Sequence, residues 1–427
     1  MPRGFKNRLS LALTLAFCAM AMSLPAMAAP QEKVIYTFTG GSDGGDPQGS
    51  LILDSNGNLY GTTELGGTSD TGTVFELVRL KNGTWSQRVL HSFAAPDTGD
   101  GEYPFSALLV DRKGDLLGTT YVGGSSIDSS GSVFELSPVG NSWNESNIFS
   151  FTIGSNGRFS GGSYVVSGLI ADAKGSLYGT ASAGGSTGCD YIGCGVVYQL
   201  ASLEGGWHEK VLHIFFGPDG ADPISRLVMD SAGRLYGTTP AGGNPGCIFN
   251  GRNGCGLVFE LTPVTGGGWN YKVLYSFTGN ADGANPASAL IMDASGRLFG
   301  TTNGGGLGYG TIFELTNQPG GAWEVNTLHT FNLSDGSQPY GTLALDQEGR
   351  LYGTTAVGGV NNTGTVFELA ETNGIWNETI LHSFGQPGQG DGNNPLTGII
   401  IGPAGNLYGT TALGGKYNQG TVFQIAP

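Results

Sequence analysis

Positive charge is scarce in this chain. Nineteen lysines and arginines face 34 aspartates and glutamates, and charged residues make up only 12% of the 427. An acidic surface repels phosphate backbones and anionic lipid, which excludes nucleic-acid and membrane-surface partners. Histidine is rarer still, with five in all, and no His-Glu-x-x-His pair occurs, so the framework of a zinc hydrolase is missing. The four histidines His91, His213, His329 and His382 share one place in "VLHSF", "VLHIF", "TLHTF" and "ILHSF", where Tyr36 and Tyr275 stand in other units. A place that accepts His or Tyr belongs to a scaffold. His208, beside Trp207, has no evident partner.

Glycine is abundant instead, at 77 residues, well above the usual ~7%, with no collagen triplet and no charge excess of the disordered kind. Glycine with Thr, Tyr and Phe means turns and strands, with little helix. Near the start, Arg3, Lys6 and Arg8 precede an apolar run, Leu9 to Leu24, that is short for a membrane span, and Ala26-Met27-Ala28 supplies a small-x-small cleavage pattern. We therefore expect residues 1–28 to be a signal peptide and residues 29–427 to form one domain, with no membrane insertion after cleavage.

The dominant feature is a repeat. "NLYGTT" at Gly61 returns at Gly118, Gly179, Gly237, Gly300, Gly353 and Gly409, with gaps of 57, 61, 58, 63, 53 and 56 residues. Each unit holds four short strand-like runs, as in "RLVMD", "RLYGTT", "GLVFEL" and "KVLYSF", bounded by Gly, Asn, Asp or Pro. Asp-x-x-Gly, as in Asp230 to Gly233, suits a type I turn between the first two. A lone four-stranded sheet cannot bury both faces, whereas a closed ring of them can, so seven units predict an all-β, seven-bladed β-propeller. "KVIYTF" (Lys33 to Phe38) matches the fourth-strand run but precedes the first unit, and the last unit ends at "TVFQI" without one. The N-terminal run is thus expected to complete the last blade and leave no open edge. The mid-strand glycine reads as a packing hole, filled by an aromatic of the next blade such as Phe259 or Trp269.

These residues resemble the GloVer (choice-of-anchor) tandem-repeat family of exported bacterial proteins. Its hallmark, G-x-L-Y-G-T-T-x-x-G-G followed by G-T-V-F-E-L, stands here as "GNLYGTTELGGTSDTGTVFEL" (Gly57 to Leu77) and recurs in all seven units. The resemblance implies export, often with a C-terminal anchor; here the chain stops two residues after its last strand, which points to release into periplasm or medium. It implies no activity and no catalytic residues.

Two features carry the functional candidates, one within the repeat and one that breaks it. Asp-Gly-x-x-Pro precedes the first strand at Asp43, Asp100, Asp219, Asp282, Asp335 and Asp391, with Asn156-Gly157 in the third unit. Converging carboxylates would bind Ca²⁺ and support a metal-dependent hydrolase or lactonase; the plainer reading is a turn stiffened by proline, with no cofactor. Cys189, Cys194, Cys247 and Cys255 lie in the loops after the Gly-Thr-Thr strand of units three and four. Disulfides within each loop suit an exported protein, and C-x4-C with C-x7-C fits zinc poorly. From that strand to the next "G-x-V-F/Y" glycine the loops have 8, 10, 13, 16, 7, 8 and 8 residues, so the stapled pair forms a ridge. Asp190, Tyr191, Ile192, Ile248, Phe249 and Arg252 on it are the expected contacts for a protein or glycan partner of a non-enzymatic, monomeric scaffold.

Overall fold

Side chains alternate along a strand, and a strand buried on both faces must find partners on both sides. In a computed structural model that describes residues 30–94, 98–125, 129–152, 161–185, 188–189, 192–385 and 390–426, the repeat meets this demand as a seven-bladed β-propeller. The proposed signal segment lies outside the described residues.

The fourth blade shows the pattern. Val228–Met229, Leu235–Thr239, Leu257–Pro263 and Trp269–Ser276 pair antiparallel in sequence order, from the central channel outward. Leu235 packs with Val197 and Tyr178 of the third blade, while Tyr236, its neighbour, packs with Leu298 and Phe313 of the fifth. The seventh blade takes its outermost strand from the other end of the chain: Gln31–Thr37 pairs with Thr421–Ala426 in the register Gln31↔Ala426 to Thr37↔Thr421. The ring closes as the sequence predicts.

The glycine hole is filled differently from expectation. Gly237 stands opposite Phe259 in its own sheet, and a Cβ there would lie 2.5 Å from Phe259 Cζ and 2.9 Å from Leu227 Cδ2. The ring comes from the same blade, because the directly opposite residue of the paired strand is nearer than any residue of the next blade. The tryptophans serve the blade interface instead. Trp85, Trp143, Trp269 and Trp323 meet Tyr408, Tyr60, Tyr178 and Tyr236 of the preceding blade edge to face, at 6.0–6.4 Å.

The threonine after the glycine links the blades. Thr62, Thr119, Thr180, Thr238, Thr301, Thr354 and Thr410 are buried, and each hydroxyl donates to a backbone carbonyl at the start of the next blade's innermost strand: Ser106, Ser167, Ser225, Ser288, Pro339, Thr397 and Pro47 respectively. Those carbonyls face a crossing where no strand can pair with them, so the hydroxyl supplies the partner that burial requires. Gly-Thr-Thr is therefore an aromatic seat followed by an interblade bond.

Candidate functional site

The loop after each Gly-Thr-Thr strand opens on the same face as the connection between blades. The two segments pair in every blade, as at Gly45↔Leu65, Ala221↔Ala241 and Gly392↔Gly414. This loop face holds three sets of candidates.

The first is the aspartate column. Each described aspartate faces the Tyr or His of the outermost strand that precedes it. Tyr36 and Tyr275 donate to Asp43 and Asp282 at 2.9 Å, and His91, His213, His329 and His382 stand 3.0, 3.0, 3.4 and 3.2 Å from Asp100, Asp219, Asp335 and Asp391. Each such strand carries a one-residue bulge just before its His or Tyr, for example Leu90 between Val89 and His91, and the bulge turns that side chain toward the aspartate. The six carboxylates are thus spread around the ring, each engaged in its own interblade turn. Asn156 lies outside the described residues.

At three of these pairs a glutamate of the next blade closes in: Glu145 on His91 and Asp100, Glu378 on Asp335, and Glu32 on His382 and Asp391. Burial first, and the facing aspartate second, push the carboxyls of Glu32 and Glu378 up to about 7 and that of Glu145 to about 6. One imidazole and two carboxylates fall within 4.8 Å in the sets His91, Asp100, Glu145 and Glu32, His382, Asp391. Three donors are too few for Ca²⁺, which takes six to eight oxygens. Burial and the facing aspartate favour the protonated glutamate in both sets, which removes one of the two negative charges.

The second set is the ridge. Disulfides join Cys189 to Cys194 and Cys247 to Cys255. Between the latter cysteines a small hairpin, Ile248–Phe249 with Arg252–Asn253, is held at three points. The Phe249 ring lies on Gly304 of the fifth blade, the disulfide rests against Gly279, and Arg252 pairs with Asp222. Ile248 is left 71% exposed and Ile192 46% exposed. Asp190 and Tyr191 lie outside the described residues. Further exposed apolar side chains, Phe216, Leu307, Val360 and Tyr417, continue the loop face round blades three to seven.

The third set was not singled out from the sequence. A cavity of about 510 Å³ runs along the central channel and is lined by residues in or just before the innermost strand of every blade. Near its wall residue Gln48, Asp46 and Glu64 form a close carboxylate pair; burial raises both pKa values, Glu64 to about 7. Gln48 donates to Glu64. Deeper in the channel lies Arg226. Both features depart from their columns, since Glu64 corresponds to Tyr121, Ser182, Pro240, Asn303, Ala356 and Ala412. Comparing the repeats column by column would have found them. The letters Gly40-x-Ser42-x-Gly44 mimic a nucleophile elbow, but they form a loop with no helix behind it, and Asp43 there is taken by Tyr36.

Among the described residues no helix is long and apolar enough to cross a membrane. No curated protein sequence matches the chain. Among solved structures, the extracellular domain provisionally described as that of a hybrid two-component system from B. thetaiotaomicron is 11% identical, covering 92% of this chain and 39% of that one with a TM-score of 0.53. A chain provisionally described as a 6-phosphogluconolactonase from Bacteroides uniformis is 14% identical over 77% of this chain and 83% of its own, with a TM-score of 0.47. A glucose dehydrogenase is 14% identical over 93% and 99%, with a TM-score of 0.46. At these identities the likeness concerns the fold alone. In sequence, the Gloeobacter/Verrucomicrobia repeat matches residues 25–188, 145–315 and 246–427, and the chain belongs to that family.

Proposed function

We infer that the protein is an exported, non-enzymatic propeller whose loop face binds a protein or glycan at or outside the cell surface. The observation that carries this reading is the three-point anchoring of the 247–255 hairpin, which holds Ile248 out in solvent on a rigid support. An exposed aliphatic side chain on a preorganised loop loses little entropy on binding, which is how contact surfaces gain affinity. The disulfides suit an oxidising compartment, in line with the signal-like start. The test is binding of wild type and of Ile192→Asp with Ile248→Asp to a glycan array and to intact cells of the source bacterium. Equal binding by both proteins would remove the ridge from consideration.

One observation favours a second, hydrolytic reading. Asp46 and Glu64, a carboxylate pair with raised pKa values beside the channel, have the character of an acid and base couple. A metal-dependent form of this reading expects a saturable rise in melting temperature when Ca²⁺ replaces EDTA. Identical melts would leave a metal-free scaffold.

A further inference from the structure

One column of the repeat lines the channel with small side chains in six blades: Ser50, Ala107, Gly168, Ala289, Thr342 and Gly398. In the fourth blade the same place holds Arg226. Its stem crosses Gly168 of the third blade, where an added Cβ would lie 3.2 Å from Arg226 Cδ. The glycine backbone there is not in the left-handed region, so its missing side chain serves space rather than conformation. Among the described residues no carboxylate or carbonyl meets the guanidinium. Burial alone lowers its pKa, and no neighbouring charge acts on it. Arg234, Arg297 and Arg350, by contrast, all have aspartate partners.

A partly buried, uncompensated cation is costly, and a chain with an excess of carboxylates has many ways to pair it. We propose that Arg226 is the anchor of a ligand site in the central channel, and that its ligand is a small organic monocarboxylic acid. Three features choose this class. A single guanidinium balances a single negative charge, and its planar fork matches a carboxylate with two parallel hydrogen bonds. A phosphate dianion would leave one charge unbalanced in an acidic protein. The cavity, at about 510 Å³, has the size of sites that take metabolite-sized molecules rather than bare ions. Its walls are mixed: Ile52, Val166, Ile224 and Ile291 offer apolar contact. Ser50 Oγ accepts the Gly398 N–H at 2.9 Å and keeps its own proton to donate. The acid's body therefore meets both apolar and hydroxyl surface. This site is independent of the ridge.

The test is calorimetric titration of the purified protein with gluconate, hexanoate and benzoate, each against phosphate at matched ionic strength. The expected result is saturable one-to-one binding of at least one monocarboxylate and weaker binding of phosphate. Arg226→Gln should weaken binding about tenfold or more, because the charged fork is lost. Arg226→Lys keeps the charge without the fork and should fall between. Gly168→Ala, which crowds the arginine stem, should weaken binding with all charges kept, and Ile248→Asp should leave it unchanged. Three results overturn the proposal: no binding of any of these monocarboxylates, equal binding by Arg226→Gln, or tighter binding of phosphate.

Discussion

Thr410 donates its hydroxyl proton to the carbonyl of Pro47 at 3.2 Å, and so joins the seventh blade to the first by the same bond that every other blade makes to its successor. Replacing Thr410 with the isosteric valine leaves that buried carbonyl unpaired, at a cost of about 1–3 kcal/mol. Thr238→Val should cost a similar amount, since Ser288 O stands in the same relation to it. Chemical denaturation of both variants checks this. No loss in either would mean that the interblade bonds are replaced by water.

Gly237→Val should lower stability by about 1–3 kcal/mol through overpacking against Phe259 and Leu227. Because the clash is with Phe259 of the same sheet, Phe259→Leu should recover part of the loss when the two are combined. A double-mutant cycle with no coupling between them would refute this account.

The three interblade glutamates make stability depend on pH. In the folded chain Glu378 holds its proton to about 7, against an ordinary value of 4.5, through burial first and Asp335 second. Its contribution is fully present below pH 4.5 and is lost as pH rises through about 7. Glu32 acts in the same window, with Glu145 centred near 6. Glu378→Gln, which stays neutral, should leave the melting temperature at pH 5 nearly unchanged and raise it at pH 8. Equal shifts at the two pH values would exclude a titrating glutamate.

The ridge separates anchor from contact. Phe249→Ala should lower the melting temperature, because the ring is seated on Gly304, whereas Ile248→Asp should not, because Ile248 is exposed. Cys247→Ser with Cys255→Ser opens a short loop and should cost about 2–4 kcal/mol. Thermal melts of the three proteins decide this. A stable Phe249→Ala would return Phe249 to the set of free contact residues.

Much of this architecture could be read from the sequence, because a repeat states each strand seven times. Lys33 to Phe38 announced ring closure by matching a strand that the last unit lacks. What escaped were relations between columns. His91 and Asp100 read separately as a strand residue and a turn residue, and only the bulge at Leu90 brings them to 3.0 Å. Strand periodicity says which side a glycine faces but not whose ring fills it, so Phe259 was assigned to the wrong neighbour. Phe249 belongs to no repeat column, and nothing local in "CIFNGRNGC" shows that its ring lies on Gly304. Arg226 is legible as the one charged residue in a column otherwise filled by Ser, Ala, Gly and Thr.

The pairing of Gln31–Thr37 with Thr421–Ala426 also sets the order of assembly. Six blades can form as their own residues emerge, since each contains its four strands in sequence. The seventh must wait for the final strand while the first stays unpaired, with its edge exposed. Closing so long a loop carries the largest entropy cost in the chain and comes last. While it folds the protein therefore passes through an open, sticky ring, and the speed of that final closure governs how much of it escapes aggregation.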